Sequence, residues 1–414
     1  MKKLRFLHTS DWHLGQNFMG KSRIEEHKAF LFWLLNTIKE NNIDVLLVSG
    51  DIFDTGTPPN YALELYYNFL KQLSQVNSLN TTIITAGNHD SVSTLKAPKQ
   101  LLEALNVHVV VNGDEDENII IPIKEPLIEN AETKAIVCAV PFLRDSVIRQ
   151  SLGGETVSDK EKLANNGIKA YYEKAYNKAK ELDHTSTKST PIIAMGHLTT
   201  VGGRTSESER DIYIGGTLDI GGDYLASMFD YVALGHLHIN QTVGNEHVRY
   251  SGSPIPLSFS ESKNTQKVNL VTINNSADEN VKVEELEIPQ MRKLQVIKGD
   301  LEAIKKELKA IEDKSTWIEV HIKDDNPMFA NTEIRELASK LELTILAVKI
   351  EKSEKQLRAK ELKAISLDEL SVQEVFEKRL DLEEIENSEF KEQLSQTFNE
   401  VVSNLHEEQK SEQV

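Results

Sequence analysis

Short runs of aliphatic and β-branched residues alternate along the chain with longer stretches whose apolar residues recur every three or four positions. The runs at 5–8, 45–48, 82–85, 107–111, 135–140, 192–195 and 231–234 predict buried strands. Between the first two, residues 25–39 place Phe30, Leu31, Leu34, Leu35 and Ile38 on one helical face. Residues 158–183 predict one long helix inserted between two strands. Through residue 288 this alternation predicts an α/β domain with helices packed on sheets.

The pattern changes near residue 290. Strand-like runs at 294–297, 318–322 and 345–350 bracket two helical stretches. One carries Leu301, Ile304, Leu308 and Ile311, the other Ile334, Leu337, Ala338 and Leu341. This β-α-β-α-β unit predicts a separate small α/β domain over 289–352. The remainder, 353–414, opens on a charged stretch and then gives two amphipathic helices. Ser371 and Glu374 form a capping box ahead of Val375, Phe376 and Leu380. The second helix shows Phe390, Leu394, Phe398, Val401 and Leu405.

Length and composition agree with this division. A chain of 414 residues, 39% of them hydrophobic, can build two or three cored domains. No apolar run approaches the ~18–20 residues that span a membrane. The apolar run after Met1-Lys2-Lys3 is too short for a signal-peptide core, so a cytoplasmic protein is expected. The single cysteine, Cys138, excludes an internal disulfide; it lies in a strand-like run, where a buried structural thiol is expected. The net charge of −18 is awkward for a nucleic-acid binder, whose affinity rests on Lys and Arg meeting phosphates. Residues 360–414, however, hold 6 Lys and Arg against 15 Asp and Glu, half of the whole excess. The body keeps room for a local basic face.

Candidate chemistry concentrates just past the predicted strands. Five motifs each follow one: Asp11-Trp12-His13, Gly50-Asp51-Ile52-Phe53-Asp54, Gly87-Asn88-His89-Asp90, Gly196-His197 and Gly235-His236-Leu237-His238. Strand ends are where α/β folds assemble sites, because the sheet fixes the loops that carry the side chains. The donors are Asp, His and Asn without Cys, a set suited to Mn, Fe or Zn rather than to an all-oxygen Mg or Ca site. Each motif alone is weak. Five in order, all after apolar strands, argue against coincidence.

Longer stretches sharpen the picture: His8-Thr9-Ser10-Asp11-Trp12-His13-Leu14-Gly15, Ser208-Glu209-Arg210, Phe229 through His238, and Tyr250-Ser251-Gly252-Ser253-Pro254-Ile255-Pro256-Leu257-Ser258-Phe259-Ser260-Glu261. On these the chain resembles the calcineurin-like metallophosphoesterase superfamily, and within it the SbcD family of bacterial nuclease subunits. The resemblance implies a sandwich of β-sheets flanked by helices. It implies that Asp11, His13, Asp51 and His238 hold one divalent ion, most commonly Mn2+, and that Asp51, Asn88, His197 and His236 hold a second. Asp51 would bridge them, His89 would give a proton to the leaving oxygen, and Asp90 would orient His89. Two ions ~3.5–4 Å apart suit phosphodiester hydrolysis. Archaeal and eukaryotic relatives often have a His where Asp54 stands, so Asp54 is expected to support the site only.

The same resemblance implies roles for the parts. Residues 1–288 would be the nuclease, 289–352 a cap over DNA, and 353–414 the grip on an SbcC-type, SMC-like ABC ATPase. It implies a homodimer within a heterotetramer, with 3′→5′ exonuclease and single-strand or hairpin endonuclease activity at DNA ends. The chain has no Gly-x-x-x-x-Gly-Lys-Ser/Thr loop, so ATP belongs to the partner. Two rival readings are a small-molecule phosphodiesterase and a catalytically silent scaffold.

Other residues read more plainly. His27, His108, His184, His247, His321 and His406 have no supporting pattern. His8 is either a support of the site or a satisfied structural residue. Lys21, Arg23, Arg144 and Lys263 read as a solvated face rather than as phosphate contacts. Segment 250–261 either borders a DNA path or packs a sheet edge.

Overall fold

The structure is a computed structural model that describes residues 3–113, 118–124, 132–148, 157–182, 190–209, 220–274, 281–324, 326–351, 376, 379–380, 393–398 and 401–402. The chain divides into two compact units, one of Met1–Ile322 with Met328–Lys349, the other of Lys323–Pro327 with Ile350–Val414.

In the first unit the strands are β1 (Leu4–Thr9), β2 (Asn17–Phe18), β3 (Lys21–Ser22), β4 (Val45–Ser49), β5 (Thr81–Thr85), β6 (Val107–Val110) and β7 (Ile120–Lys124). They continue with β8 (Thr133–Ala139), β9 (Ile192–His197), β10 (Tyr231–Gly235), β11 (Gln241–Val243), β12 (Asn245–Tyr250), β13 (Lys267–Ile273) and β14 (Val281–Glu287). They form two six-stranded sheets, ordered β14-β13-β1-β4-β5-β6 and β11-β12-β10-β9-β8-β7, with β2 and β3 as a separate ribbon. The five strands that lead into the motifs run parallel within their sheets: β1, β4 and β5 in one, β9 and β10 in the other.

Alternation along the strands explains the layers. On β4, Val45 and Leu47 join Ile83, Ile136, Ile193 and Val232 in the core between the two sheets. Leu46 and Val48 point the other way, into a second core with Phe30 and Leu34 of helix Ile24–Glu40 and Tyr66 and Phe69 of helix Asn60–Leu73. Helix Val157–Leu182 closes the opposite side with Ile168, Tyr172, Ala175 and Ala179. The expected helix over 158–183 thus forms almost as predicted, and the layers are helix, sheet, sheet, helix. Each large apolar side chain so buried contributes roughly 1.5–3 kcal/mol. Cys138 is fully buried, its thiol facing the Ala175 carbonyl at 3.7 Å, and burial pushes its pKa up to about 12. A structural thiol was expected there.

Helix ends follow local chemistry. Glu25 and Glu26 occupy the first turn of Ile24–Glu40, where carboxylates favour the positive end of the helix dipole. The helix stops at Asn42, whose φ of 48° is left-handed, with Ile43 N–H donating to the Ile38 carbonyl (3.1 Å).

The last three strands of the unit, β15 (Leu294–Gly299), β16 (Trp317–Ile322) and β17 (Thr344–Ile350), form a small sheet in that order, β15 parallel to β16. Helices Leu301–Lys309 and Pro327–Lys340 pack on it through Ile304, Leu308, Ile334 and Ala338. A mixed patch joins this module to the sandwich. Phe18 stacks on Trp317 (centroids 5.7 Å apart) and meets Phe259 (5.3 Å). Arg23, fully buried, donates to Glu26 Oε1 (2.9 Å) and to the Pro256 carbonyl (2.8 Å), and Arg292 reaches the same Glu26 oxygen (3.0 Å) while lying 4.5 Å over the Trp317 ring. Arg23 is therefore neither a solvated face nor a phosphate contact. The sequence could not reveal that Glu26 and Trp317 enclose it.

In the second unit, Phe376, Arg379, Leu380, 393–398 and 401–402 are helical. The Phe376 and Phe398 rings stack face to face, 3.8 Å apart and inclined by 3°. Ser371, Glu374, Val375, Phe390 and Leu405, named above for the tail helices, lie outside the described residues, as does Arg210. Among the described residues no helix is long and apolar enough to cross a membrane.

Candidate metal centre

The backbone is already bent where the motifs begin. Asp11, His13, Asp51 and His236 have φ of 52°, 44°, 51° and 99°. Left-handed backbone at a non-glycine residue costs of order 1–3 kcal/mol and persists where the surroundings over-determine it. Neighbouring chain holds these turns: Asp11 N–H donates to the Gly50 carbonyl (3.0 Å), and His13 N–H to the Asp51 carbonyl (3.0 Å). Two glycines let the loops close. A Cβ on Gly50 would lie 2.2 Å from His197 Nδ1, and one on Gly87 would lie 2.1 Å from Asp51 Oδ1.

The side chains converge into adjoining clusters. Asp11, His13 and His238 present donor atoms within 4.8 Å of one another, and so do Asp51, His197 and His236. Asp51 lies between them: its Oδ2 is 3.6 Å from His13 Nε2 and 3.3 Å from His197 Nε2. Asn88 Oδ1 comes within 2.9 Å of His197 Nε2, which puts it at the second cluster. Each ring is turned from behind. His197 Nδ1 donates to the Ser49 carbonyl (3.0 Å), leaving Nε2 for the cluster. The His13 Nδ1 faces Asp54 Oδ1 at 3.2 Å, leaving His13 Nε2 buried without a hydrogen-bond partner.

These residues fit divalent ions. The orphaned His13 Nε2, the two buried carboxylates of Asp11 and Asp51 and the all-N/O donor set are what hard-to-borderline cations require.

The electrostatics follow from burial and close charges. Burial alone would raise the Asp51 carboxyl, but His197, His13 and His89 hold it well below the usual carboxylate range. Burial does win at Asp11, whose pKa is raised. Burial lowers His197, but Asp51, Asp11 and the Ser49 carbonyl together outweigh it, leaving it at about 9. His238 also stands at about 9, because Glu261 and Asp11 outweigh its burial. Burial and His197 push His236 well below the ordinary imidazole value.

His89 stands at the edge of the centre, half-buried, its ring 4.9 Å from that of His13. Its Nδ1 meets the Asp54 carbonyl at 2.7 Å, and its N–H donates to Asp51 Oδ1 (2.9 Å). Asp90 does not orient the His89 ring, contrary to the expectation from sequence. Its carboxylate accepts from the backbone N–H groups of Ile52 (3.1 Å), Phe53 (3.0 Å) and Gly87 (2.8 Å), tying two motif loops together. Burial, with Asp51 nearby, pushes Asp90 up to about 6. The orienting group for His89 is the carbonyl of Asp54, a contact no side-chain motif could announce.

Comparison with known proteins agrees with this geometry. The profile of the calcineurin-like phosphoesterases matches residues 4–240, which carry all the motif residues. The chain belongs to the calcineurin-like phosphoesterase family. Within that family it is similar to the D subunit of the SbcCD nuclease of Escherichia coli (strain K12), 40% identical over 395 residues, 93% of this chain and 95% of that one. Similarity extends to the corresponding SbcCD nuclease subunits of Rhodobacter capsulatus (37% over 266 residues, 62% and 64% of the two chains) and of Bacillus subtilis (33% over 273 residues, 65% and 66%). A second profile, the type 5 capsule protein repressor C-terminal domain, matches residues 290–384. As a phosphoesterase of this family the chain binds divalent metal.

Several surrounding residues escaped sequence reasoning. Ser208 and Glu261 both reach His238, and Glu209 Oε1 accepts the His238 backbone N–H (2.7 Å). In the sequence they stand only within longer family-like stretches, with nothing to mark a role. His8 is buried, and its two ring nitrogens meet the Tyr231 hydroxyl (2.9 Å) and the Leu234 carbonyl (3.1 Å), so it is a satisfied structural residue.

Proposed function

We propose that this chain is the manganese-dependent nuclease subunit of an SbcC–SbcD-type complex that processes DNA ends in repair and recombination. The observation that carries the proposal is the pair of adjoining buried N/O clusters with Asp51 between them and His89 at their rim. Asp11, His13, Asp51 and His238 would hold one ion, and Asp51, Asn88, His197 and His236 the other. Held there, two ions would supply an activated water and offset the charge that builds on phosphorus during in-line displacement. The chain's own residues do the rest. Asp51, low in pKa, stays ionised at the centre. His89, with Nδ1–H committed to the Asp54 carbonyl, keeps Nε2 to give a proton to the leaving oxygen. Asp90 fixes the loops that carry Asp51 and His89.

In this reading residues 1–288 carry the chemistry and 289–352 cap the DNA. Residues 353–414 grip the coiled-coil base of an SMC-like ABC ATPase, within a cytoplasmic heterotetramer containing two copies of this chain. The expected activities are 3′→5′ exonuclease and endonuclease on single strands and hairpins. The test is Mn2+-dependent digestion of an end-labelled hairpin, with and without the ATPase, beside a cyclic-nucleotide substrate. Asp51→Ala should lose at least one ion per chain and all cleavage while keeping its fold. Cleavage of the cyclic nucleotide alone would favour a small-molecule enzyme, and a metal-free parent would favour a scaffold.

A further inference from the structure

Two stretches singled out in the sequence meet behind His238, through Ser208 and Glu209 of the one and Glu261 of the other. Glu261, at the end of the 3-10 turn Phe259–Glu261, is a fully buried carboxylate that meets no Lys or Arg among the described residues. One oxygen, Oε2, accepts from Leu257 N–H (2.8 Å) and Ser253 Oγ (3.4 Å). The other, Oε1, accepts from Ser258 Oγ (3.3 Å), takes a short hydrogen bond from Ser208 Oγ, lies 3.5 Å from His238 Nδ1, and shares with Glu209 Oε2 (2.7 Å) the one proton of Ser206 Oγ (2.8 Å). Ser208 Oγ is in turn 2.6 Å from the same Nδ1.

Proton counting fixes the direction. A buried carboxylate only accepts, and at so short a separation the single proton of Ser208 goes to Glu261 rather than to the Ser206 hydroxyl, 2.7 Å away. Ser208 Oγ then has only lone pairs for His238, and Nδ1 must be the donor. In its neutral, ligating form the imidazole therefore keeps its proton on Nδ1 and turns its Nε2 lone pair toward the cluster with Asp11 and His13.

We propose that Glu261, acting through Ser208, is a positioning residue that sets the tautomer and aim of His238 and so determines affinity at one of the two ion sites. The proposal rests on the assignment of His238 as a ligand. Outer carboxylates behind a ligating histidine typically contribute 10–100-fold in metal affinity. The same turn carries Phe259, which packs on Phe18 and joins the cluster containing Trp317, so the position of Glu261 is also tied to the small module.

The test is Mn2+ titration of the metal-free full chain by calorimetry, with the metal-free unfolding midpoint measured alongside. Glu261→Gln keeps size and loses the charge; it should weaken one of two sites by 10–100-fold, leave the other unchanged, and shift the metal-free midpoint little. Ser208→Ala should weaken the same site less, and the double variant should match Glu261→Gln. Parent-like isotherms in both single variants, or equal weakening of both sites, would overturn the proposal. If Glu261→Gln does not fold, Ser208→Ala decides alone, and parent affinity there overturns it. His238→Ala serves as the reference: if it retains both sites, the ligand assignment fails and not the positioning argument.

Discussion

Asn88 and His89 are neighbours in the chain but face different tasks. The Asn88 amide oxygen points inward, 2.9 Å from His197 Nε2, while the His89 ring hangs from the Asp54 carbonyl at the rim. At the mouth of β5 the Asp51 carboxylate takes the backbone N–H of His89, and the Asp90 carboxylate that of the preceding Gly87. This separation leads to a distinct expectation for His89→Gln. Ion content by elemental analysis should stay at the parent level, and single-strand cleavage should fall by ~10²–10⁴-fold, the usual contribution of a general acid. Loss of an ion would make His89 a ligand and require the roles of the pair to be rewritten. The candidate donors were legible because i, i+2 and Gly-x-His patterns are local. The supports were not: Ser49, Asp54 and Leu257 act through backbone atoms, which every residue has.

At the scale of elements, the buried parallel strands were legible because both faces are covered and their runs are nearly continuous in apolar residues. β11 to β14 were not. β14 reads Val-Lys-Val-Glu-Glu-Leu-Glu, an edge strand exposed along most of its length, and β11 is only three residues long. The sequences of β11 and β14 resemble loop, and only the partner strand's register makes them strands. The small module was visible in its alternation, but its seam with the sandwich was not, since Phe18, Arg23, Phe259, Arg292 and Trp317 come from four separate stretches. The tail allows a prediction of its own. A chain ending at Glu351 keeps every proposed ligand, so Mn2+-dependent cleavage of short single strands should survive. Binding to the ATPase should be lost with the aromatic pair Phe376–Phe398 and with Leu394, because interface affinity concentrates in such anchors. DNA affinity should rise modestly, since the cut also removes part of the acidic excess. Pull-down of the ATPase at full affinity by the shortened chain would place the grip elsewhere.

Across the whole molecule, the two candidate ligand sets are drawn from both layers of the sandwich. Asp11, His13, Asp51 and Asn88 hang from the sheet of β1, β4 and β5, and His197, His236 and His238 from that of β9 and β10. Ser49 already bridges them, its hydroxyl donating to the Ala233 carbonyl (2.9 Å) and its own carbonyl accepting from His197. Each proposed ion therefore has ligands on both sides of the seam. In that assignment the centre would be a clasp as well as a reaction site, since the cations would also hold the two sheets shut. A ligand that binds only the folded state adds about 2.7 kcal/mol at a hundredfold excess over its Kd. Titrating Mn2+ should raise the unfolding midpoint by several degrees, and EDTA should return it to the metal-free value. Asp51→Ala, which loosens both halves of the clasp, should show almost none of that gain, and an equal gain in the variant would refute the idea. Starvation for manganese would then cost a cell more than catalysis, because unclasped chains open more readily and are more exposed to proteolysis.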